Sequence, residues 1–128
     1  MSAFPVTSVT AGLIGVLSLA LAIPVTVARF RTGRSLGEDG PGLQVAVRSH
    51  ANLIEYAPIG LILLAIAEYD LGPSRFVLGL AAALVLGRVM HPIGMRMPVP
   101  NVFRAGGIIL TWAMIGAASL HALTHLFG

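Results

Sequence analysis

The chain has 128 residues, of which 56% are hydrophobic and only 10% are charged. A soluble domain carries about 25% charged residues, so this composition excludes an ordinary soluble protein and predicts a membrane protein in contact with the lipid bilayer. The net charge of +3 includes eight arginines and no lysine. Because the arginines flank apolar segments, no nucleic-acid partner is expected. The lack of cysteine excludes disulfides, thiolate metal sites and a cysteine nucleophile.

Four apolar segments follow one another, each close to the roughly 20 residues that a helix needs to span a bilayer. They predict transmembrane helices over residues of about 6–28, 43–69, 74–95 and 102–126. The first is expected to be a retained helix and not a cleaved signal peptide, because its arginines follow the apolar run. Since the connections are short, the fold is predicted to be all-α, with an integral-membrane four-helix bundle over residues 1–128 as the single domain.

The three connections are predicted from their polar, glycine and proline residues. Residues 29–43 contain four glycines and a proline and are expected to form a loop. Residues 68–73 are expected to form a tight turn, and residues 96–101 a proline-stiffened loop. Asn101 is a candidate N-cap for the fourth helix.

The arginines predict the orientation of the bundle in the membrane. Seven of the eight lie near the first and third loops, and only Arg75 lies near the turn between the second and third helices. Cytoplasmic loops are enriched in positive charge. We therefore expect these two loops in the cytoplasm and both termini outside.

A polar stripe on the second helix is the first candidate site. Arg48, Asn52 and Glu55 fall within about 60° of one another on a helix, and an ionised side chain at the centre of a membrane helix costs about 2.5–3.5 kcal/mol. Arg48 and Glu55 are about 10 Å apart along the axis, too far to pair directly. We expect Glu55 to pair with an arginine of another helix, bridged by Asn52; the alternative is a purely structural ion-pair network.

The third and fourth helices contribute further candidates at the same membrane depth. Arg88 is the expected partner of Glu55, while His91, one turn later, is more often a packed bundle histidine than a ligand. Arg104 lies in the first turn of the fourth helix, where a cation opposes the helix dipole. A bound anion would explain that position, and an arginine that extends to the membrane interface is the alternative.

Small residues recur on the third helix, where Gly79, Ala83 and Gly87 lie four residues apart. Such a stripe lets another helix approach closely. Chance recurrence in an alanine-rich sequence is an equally favoured explanation.

Two histidines near the end of the fourth helix have the spacing of a metal site. His121 and His125 are four residues apart, but no carboxylate or cysteine lies near them in sequence. They are interpreted as interfacial residues, and no metal site is expected.

Three motifs together resemble those of the MAPEG superfamily, the membrane-associated proteins of eicosanoid and glutathione metabolism. The second helix contains Arg48-x-His50-x-Asn52-x-x-Glu55-x-x-Pro58, the third contains Gly87-Arg88-Val89-x-His91, and Arg104 follows Met95 by nine residues. The segment SLGEDG before the first motif is similar to that of bacterial members. The resemblance covers nearly the whole chain, and it implies a homotrimer of four-helix bundles in a bacterial inner membrane.

The resemblance also implies that glutathione, as co-substrate, binds between neighbouring subunits. Arg48 would bind its carboxylate, Asn52 its backbone, and Glu55 its amino group or a supporting arginine. Arg29 or Arg31 would come from the adjacent subunit, Arg88 and His91 would support the ligand, and Arg104 would lie at the sulfur. Met95 occupies a position where several eukaryotic members carry tyrosine, so this chain offers no phenol hydrogen bond there.

The implied activity is that of a thiol-dependent transferase or peroxidase, with a lipophilic small molecule as second substrate. An arginine beside the sulfur would favour the nucleophilic thiolate, and arginine keeps its charge in a partly dry site. The resemblance does not choose between the two reactions, nor between glutathione and another thiol. Two other classes stay open: a non-enzymatic membrane protein that binds an anionic lipid or small ligand, and, with less support, a proton-coupled transporter.

Overall fold

A computed structural model describes residues 2–125, which form four α-helices and no strand. The helices are α1 (Pro5–Thr32), α2 (Pro41–Leu71), α3 (Arg75–Met95) and α4 (Val102–His125). All four are long and apolar enough to cross a membrane. The predicted four-helix bundle is confirmed, while residue 126, the expected end of the fourth helix, lies outside the described residues.

The first loop is shorter than predicted, because α1 continues through Arg29 and Arg31 to Thr32. Gly33 ends the helix with a φ of 66°, and this left-handed conformation is one that glycine adopts without a steric penalty. The two arginines lie in the last turn, where a positive charge interacts favourably with the helix dipole. The prediction that residue 29 begins a loop is therefore wrong.

The second helix also extends beyond its predicted end, so Glu68 and Asp70 are helical and do not form a turn. Gly72, with a φ of 62°, caps α2 and donates its N–H to the carbonyl of Glu68 at 2.8 Å. Only residues 72–74 separate α2 from α3. Ser74 then accepts a hydrogen bond from the N–H of Val77 at 3.4 Å and caps α3.

The bundle has two chemically different ends. The two-loop end carries the α1–α2 loop (residues 33–40) and the α3–α4 loop (residues 96–101). The turn end carries residues 72–74, the start of α1 and the end of α4. At the two-loop end, Asn101 accepts a hydrogen bond from the N–H of Arg104 at 2.8 Å, which confirms Asn101 as the N-cap of α4.

The closest helix packing is between α3 and α4, where Gly87 faces Gly107. A Cβ atom added to Gly107 would lie 2.7 Å from the Gly87 oxygen, and one added to Gly87 would lie 2.8 Å from the Gly107 oxygen. Gly79, by contrast, faces open space within one chain. The predicted small-residue stripe therefore serves close packing at Gly87 but not at Gly79.

Apolar side chains fill the centre of the bundle and also cover much of its outside. Leu53, Leu64, Leu84 and Met114 are almost completely buried. The outer faces nevertheless carry large aliphatic side chains, such as Val16, which is 68% exposed. This distribution suits a protein whose surroundings are hydrocarbon and not water.

Candidate functional site

Arg88 on α3 has 1% of its surface exposed, the lowest fraction of any charged residue among residues 2–125. Its Nη1 donates a hydrogen bond to Oδ1 of Asn52 on α2 at 2.5 Å, and its Nε donates to Oγ1 of Thr111 on α4 at 2.9 Å. Longer hydrogen bonds of 3.3 and 3.4 Å run to the backbone oxygens of Asn52 and Gly107. Arg88 therefore joins three helices at one point.

The close approach of α3 and α4 builds the surroundings of Arg88. Because Gly107 has no side chain, its carbonyl lies against α3 and accepts hydrogen bonds from both Arg88 and the Thr111 hydroxyl. The Thr111 hydroxyl donates over 2.8 Å and keeps its lone pairs for the arginine. On α2, the ring of Tyr56 has its centroid 5.3 Å from the guanidinium carbon, within the distance of a cation–π interaction.

All four oxygens that accept hydrogen bonds from Arg88 are uncharged. Among residues 2–125, no carboxylate oxygen lies within 4.0 Å of it, so the predicted pair between Arg88 and Glu55 is wrong. A guanidinium has five N–H groups; hydrogen bonds within residues 2–125 use four of them, which leaves one on Nη2. A buried cation without a counter-ion is costly, and an anion bound beside it would offset that cost.

Glu55 pairs instead with Arg48 of its own helix. Arg48 Nη2 lies 3.6 Å from Glu55 Oε1, which corrects the expectation that the two are too far apart to pair. The backbone separation of about two turns is bridged because both side chains extend along the helix towards each other. Their side chains are 45% and 51% exposed, and an ion pair so exposed contributes little when it faces water.

The face of α2 that carries this ion pair is uncovered in a single chain. Arg48 and Glu55 begin the face, and aliphatic residues continue it towards the turn end: Ile59 (44% exposed), Ile62 (57%) and Ile66 (39%). Charged groups on the side of a transmembrane helix are costly in contact with lipid. Another protein surface packed against this face would remove its charged groups from lipid.

His91 follows Arg88 on α3, one turn closer to the two-loop end. It is 5% exposed, and its backbone packs directly against Gly107 of α4. This environment is that of a packed bundle histidine beside the Arg88 cluster (Asn52, Tyr56, Arg88, Gly107 and Thr111).

Arg104 lies in the first turn of α4 and is exposed. Its backbone packs so closely on Gly94 of α3 that a Cβ atom there would clash with it. Its side chain borders a shallow depression formed with Val99, Pro100 and Ile108. The backbone of Arg104 is thus fixed by α3 while its guanidinium stays accessible.

The last turn of α1 carries Arg29 and Arg31. Arg29 Nη1 donates to the carbonyl oxygen of Gly37 at 3.1 Å and so holds the α1–α2 loop. Arg31 is exposed and borders a groove between the end of α1 and the start of α2. Within one chain, the predicted residues thus fall into three groups: Asn52 with Arg88 and His91, Arg48 with Glu55, and the separate arginines Arg29, Arg31 and Arg104.

Sequence reasoning missed two members of the Arg88 cluster. Tyr56 lies one helical turn after Asn52, and Thr111 lies one turn after Gly107, so both share a helix face with another member. That spacing could have indicated Tyr56 beside the polar stripe. Nothing in the fourth segment marked Thr111, because its role depends on how closely α4 approaches α3.

The family model described as the MAPEG family matches residues 7–124. The chain belongs to the MAPEG family. The protein called "Inner membrane protein YecN" in Escherichia coli strain K12, and its counterpart in strain O6:H1, are each 28% identical over 111 residues, covering 86% of this chain and 84% of theirs. No solved structure matches.

The match to the MAPEG family covers every motif that carries the resemblance. Residues 48–58, residues 87–91 and Arg104 all lie inside the matched range. Together with the four spanning helices, membership makes this chain an integral membrane protein of the superfamily. The superfamily prediction is confirmed.

Proposed function

We propose that this MAPEG protein is an integral-membrane enzyme that uses glutathione to conjugate lipophilic electrophiles or to reduce lipid hydroperoxides. The observation that carries the proposal is the buried Arg88, which has no carboxylate partner among residues 2–125 and keeps one N–H group free. Asn52, which Arg88 positions, lies on the same helix as the uncovered Arg48 and Glu55. These groups suit a ligand that carries carboxylates and an amino group.

The proposed roles follow from charge and accessibility. Arg48 binds a carboxylate of glutathione, Asn52 its peptide backbone, and Glu55 its amino group. Arg88 and His91 support these groups from within the bundle. Met95, only partly buried near the two-loop end, provides an apolar contact without a hydrogen bond to the ligand.

Arg104 is proposed as the catalytic residue because its fixed backbone presents an accessible cation. A thiol has a pKa near 8.5 and is mostly protonated at neutral pH, so a nearby cation increases the thiolate fraction. In the transferase reaction the thiolate sulfur bonds to the electrophilic carbon, the leaving group departs with its electron pair, and the thiol proton goes to solvent. In the peroxidase reaction two glutathione molecules become one disulfide, and the hydroperoxide becomes an alcohol and water.

A homotrimer would complete this site. One chain leaves the charged and aliphatic face of α2 uncovered, and a neighbouring copy would remove that face from lipid. Arg29 or Arg31 of the neighbour would then approach the ligand from the end of α1. The proposed location is a bacterial inner membrane, which is where the name of the Escherichia coli relatives places those proteins.

The distribution of arginines along the bundle supports an orientation in which the two-loop end faces the cytoplasm. Seven of eight arginines lie towards the two-loop end, and Arg75 begins α3 at the turn end. By the positive-inside rule the loops of residues 33–40 and 96–101 face the cytoplasm, and both termini face outward. The glutathione site would then open towards the cytoplasmic side.

The test is thiol-dependent turnover by the purified protein. We expect conjugation of glutathione to chlorodinitrobenzene, or glutathione-dependent reduction of a lipid hydroperoxide, and about a 100-fold loss of kcat in Arg104→Ala because a group that stabilises the thiolate is removed. Arg96→Ala is the matched control, since Arg96 is an exposed arginine eight residues earlier, at the end of α3. Equal rates for the two variants, or no turnover with any of several thiols and electrophiles, would contradict the proposal.

Ligand binding provides an independent readout. Glutathione should raise the melting temperature of the wild type, by an amount that corresponds to about 2.7 kcal/mol at a hundredfold excess over Kd. Arg48→Ala should abolish this shift and leave the ligand-free melting temperature nearly unchanged, because the Arg48–Glu55 pair is half exposed.

A second candidate is a non-enzymatic membrane protein that uses the same charges for structure or for an anionic ligand. It is favoured by one observation: four of the five N–H groups of Arg88 already have partners within the chain. This candidate predicts that Arg48→Ala and Glu55→Ala lower the melting temperature by the same amount with and without glutathione.

A further inference from the structure

A second polar cluster lies at the turn end, far along the chain and the bundle from Arg88. It consists of Asp70 from the last turn of α2 and of His121 and His125 from the end of α4. His121 Nε2 lies 3.1 Å from Asp70 Oδ2, and His125 Nε2 lies 3.8 Å from Asp70 Oδ1. One ligand atom from each residue can be chosen so that all three lie within 4.8 Å of one another. The fold thus supplies the carboxylate that the neighbouring sequence of the two histidines lacks.

These distances are close to those of a metal site. A tetrahedral zinc ion with bonds of about 2.0–2.1 Å holds its ligand atoms about 3.3 Å apart. The observed contacts of 3.1 and 3.8 Å lie on either side of that value. Asp70 and His121 are held in place, with side chains 12% and 16% exposed, whereas His125 is 61% exposed and can adjust its rotamer.

Helical spacing places both imidazoles on one side of α4, because residues four apart lie above one another on the same face. Their ring centroids are 5.5 Å apart. The ring of Phe76, at the start of α3, lies 6.0 Å from the ring of His121 and packs against it. Three helices therefore contribute to the position of His121.

The electrostatic field at this cluster favours a cation. The helix α2 ends here, and the last carbonyl groups of a helix carry partial negative charge. Asp70 adds a full negative charge, and among residues 2–125 no arginine nitrogen lies within 4.0 Å of it. Within that part of the chain, the two imidazoles are the only basic groups inside this distance, and they are positive only when protonated.

We propose that Asp70, His121 and His125 bind one divalent transition-metal ion, of which Zn²⁺ is the representative. Two imidazole nitrogens and one carboxylate oxygen suit zinc and its neighbours in the first transition series, whereas calcium and magnesium prefer oxygen ligands alone. The metal links the end of α2 to the end of α4. Three protein ligands leave a fourth position for water, as in zinc sites that are not purely structural.

The experiment uses full-length protein without a histidine tag, purified in detergent and stripped with EDTA. Zn²⁺ is titrated by calorimetry, and Co²⁺ is added as a spectroscopic probe whose visible absorption reports the ligand geometry. We expect one saturable Zn²⁺ per chain, intense absorption bands of tetrahedral Co²⁺, and a rise in melting temperature that EDTA reverses.

Single substitutions then identify the ligands. His121→Ala and Asp70→Asn should each weaken Zn²⁺ binding by about 100-fold. Loss of a residue that only hydrogen-bonds to a metal ligand already weakens binding by about 10- to 100-fold, and loss of a ligand should cost at least as much. His125→Ala should do the same, and because its side chain is mostly exposed, this variant keeps the fold intact. His50→Ala, at the other end of the bundle, should bind Zn²⁺ like the wild type and controls for the loss of a histidine.

Several outcomes would overturn the proposal. The first is that the stripped wild type shows no saturable Zn²⁺ binding. The second is that His125→Ala, or the variant in which both His121 and His125 are replaced by alanine, binds Zn²⁺ as tightly as the wild type. A third is a melting temperature that rises when the pH is lowered but does not respond to Zn²⁺ at neutral pH. That result would identify the cluster as a proton-dependent ion pair between Asp70 and the histidines.

Discussion

The two ends of the bundle accommodate charge in opposite ways. At the two-loop end, the buried cation Arg88 is surrounded by uncharged oxygens from α2 and α4. At the turn end, the buried carboxylate of Glu68 accepts hydrogen bonds from the N–H groups of Val6 and Thr7, at 2.8 and 2.7 Å. The nearby carboxylate of Asp70 has two imidazoles as its only basic neighbours within 4.0 Å among the residues that the structure describes. One end therefore offers positive charge, and the other offers negative charge.

This difference separates a charge that is neutralised within the chain from one that has no counter-ion among residues 2–125. The carboxylate of Glu68 lies at the N-terminus of α1, where free N–H groups and the helix dipole both favour an anion. Its negative charge is therefore stabilised by groups of the same chain. Arg88 has uncharged partners and one N–H group without an acceptor among residues 2–125, so its charge is not balanced within that part of the chain. We therefore expect ligands of opposite charge at the two ends.

The largest expected effect comes from removing the cation at the two-loop end. Arg88→Ala should lower the free energy of unfolding by about 4 kcal/mol, because it leaves a cavity and removes the hydrogen-bond donor of the buried oxygens of Asn52 and Thr111. Unfolding in mixed micelles with increasing SDS measures this change. Arg96→Ala, an exposed arginine at the end of α3, should cost under about 0.5 kcal/mol.

Arg88→Lys sharpens the same comparison because it keeps the charge but loses the planar fork of donors. It should recover only part of the stability that Arg88→Ala loses. If Arg88→Lys had the stability of the wild type, the charge alone would matter at this position. The hydrogen bonds to Asn52 and Thr111 would then not account for the stabilising effect of Arg88.

A smaller effect is expected where α3 and α4 form the walls around Arg88. In Gly107→Ala, the new Cβ atom would meet the Gly87 oxygen at 2.7 Å and the His91 nitrogen at 2.8 Å, and both are backbone atoms that cannot move alone. The helices must separate, at a cost of about 2 kcal/mol in the free energy of unfolding. The same SDS titration measures it.

Gly116→Ala is the matched control on the same helix, because nothing lies within 4 Å of its added Cβ atom. It should leave stability unchanged or raise it by up to about 1 kcal/mol, since alanine is the better helix former. If both substitutions had the same effect, the Gly87–Gly107 contact would not be what brings Thr111 to Arg88.

The sequence predicted the number of helices well because each apolar run has the length of a bilayer. It predicted their ends less well. Arg29, Glu68 and Asp70 are polar, and polar residues favour a loop or turn in the sequence-based prediction. In the structure each helix continues to the next glycine with positive φ, Gly33 for α1 and Gly72 for α2. Arginines in a last turn interact favourably with the dipole, so the polar residues of α1 extend the helix and do not break it.

The candidate site was predictable only as far as one helix determines it. Helical periodicity placed Asn52 between Arg48 and Glu55 on one stripe, but the partner of Arg88 depends on how α3 is rotated against α2. The structure selects Asn52 and not Glu55. Likewise, Asp70 and His121 are 51 residues apart in the chain, so no local spacing could predict that they meet.

The smallest effect concerns the carboxylate at the turn end that is already satisfied. Glu68→Gln keeps an oxygen acceptor for one N–H group of α1 but removes the negative charge and the second acceptor, so we expect a loss of about 1 kcal/mol in the free energy of unfolding. Glu38→Gln, in the α1–α2 loop, changes the same charge without a helix N-terminus nearby and should have no measurable effect. Because the carboxylate of Glu68 binds the N–H groups of α1, its substitution should leave the affinities for glutathione and Zn²⁺ unchanged. A change in either affinity would show that the charge of Glu68 also serves a ligand, and the proposed contrast with Arg88 would then fail.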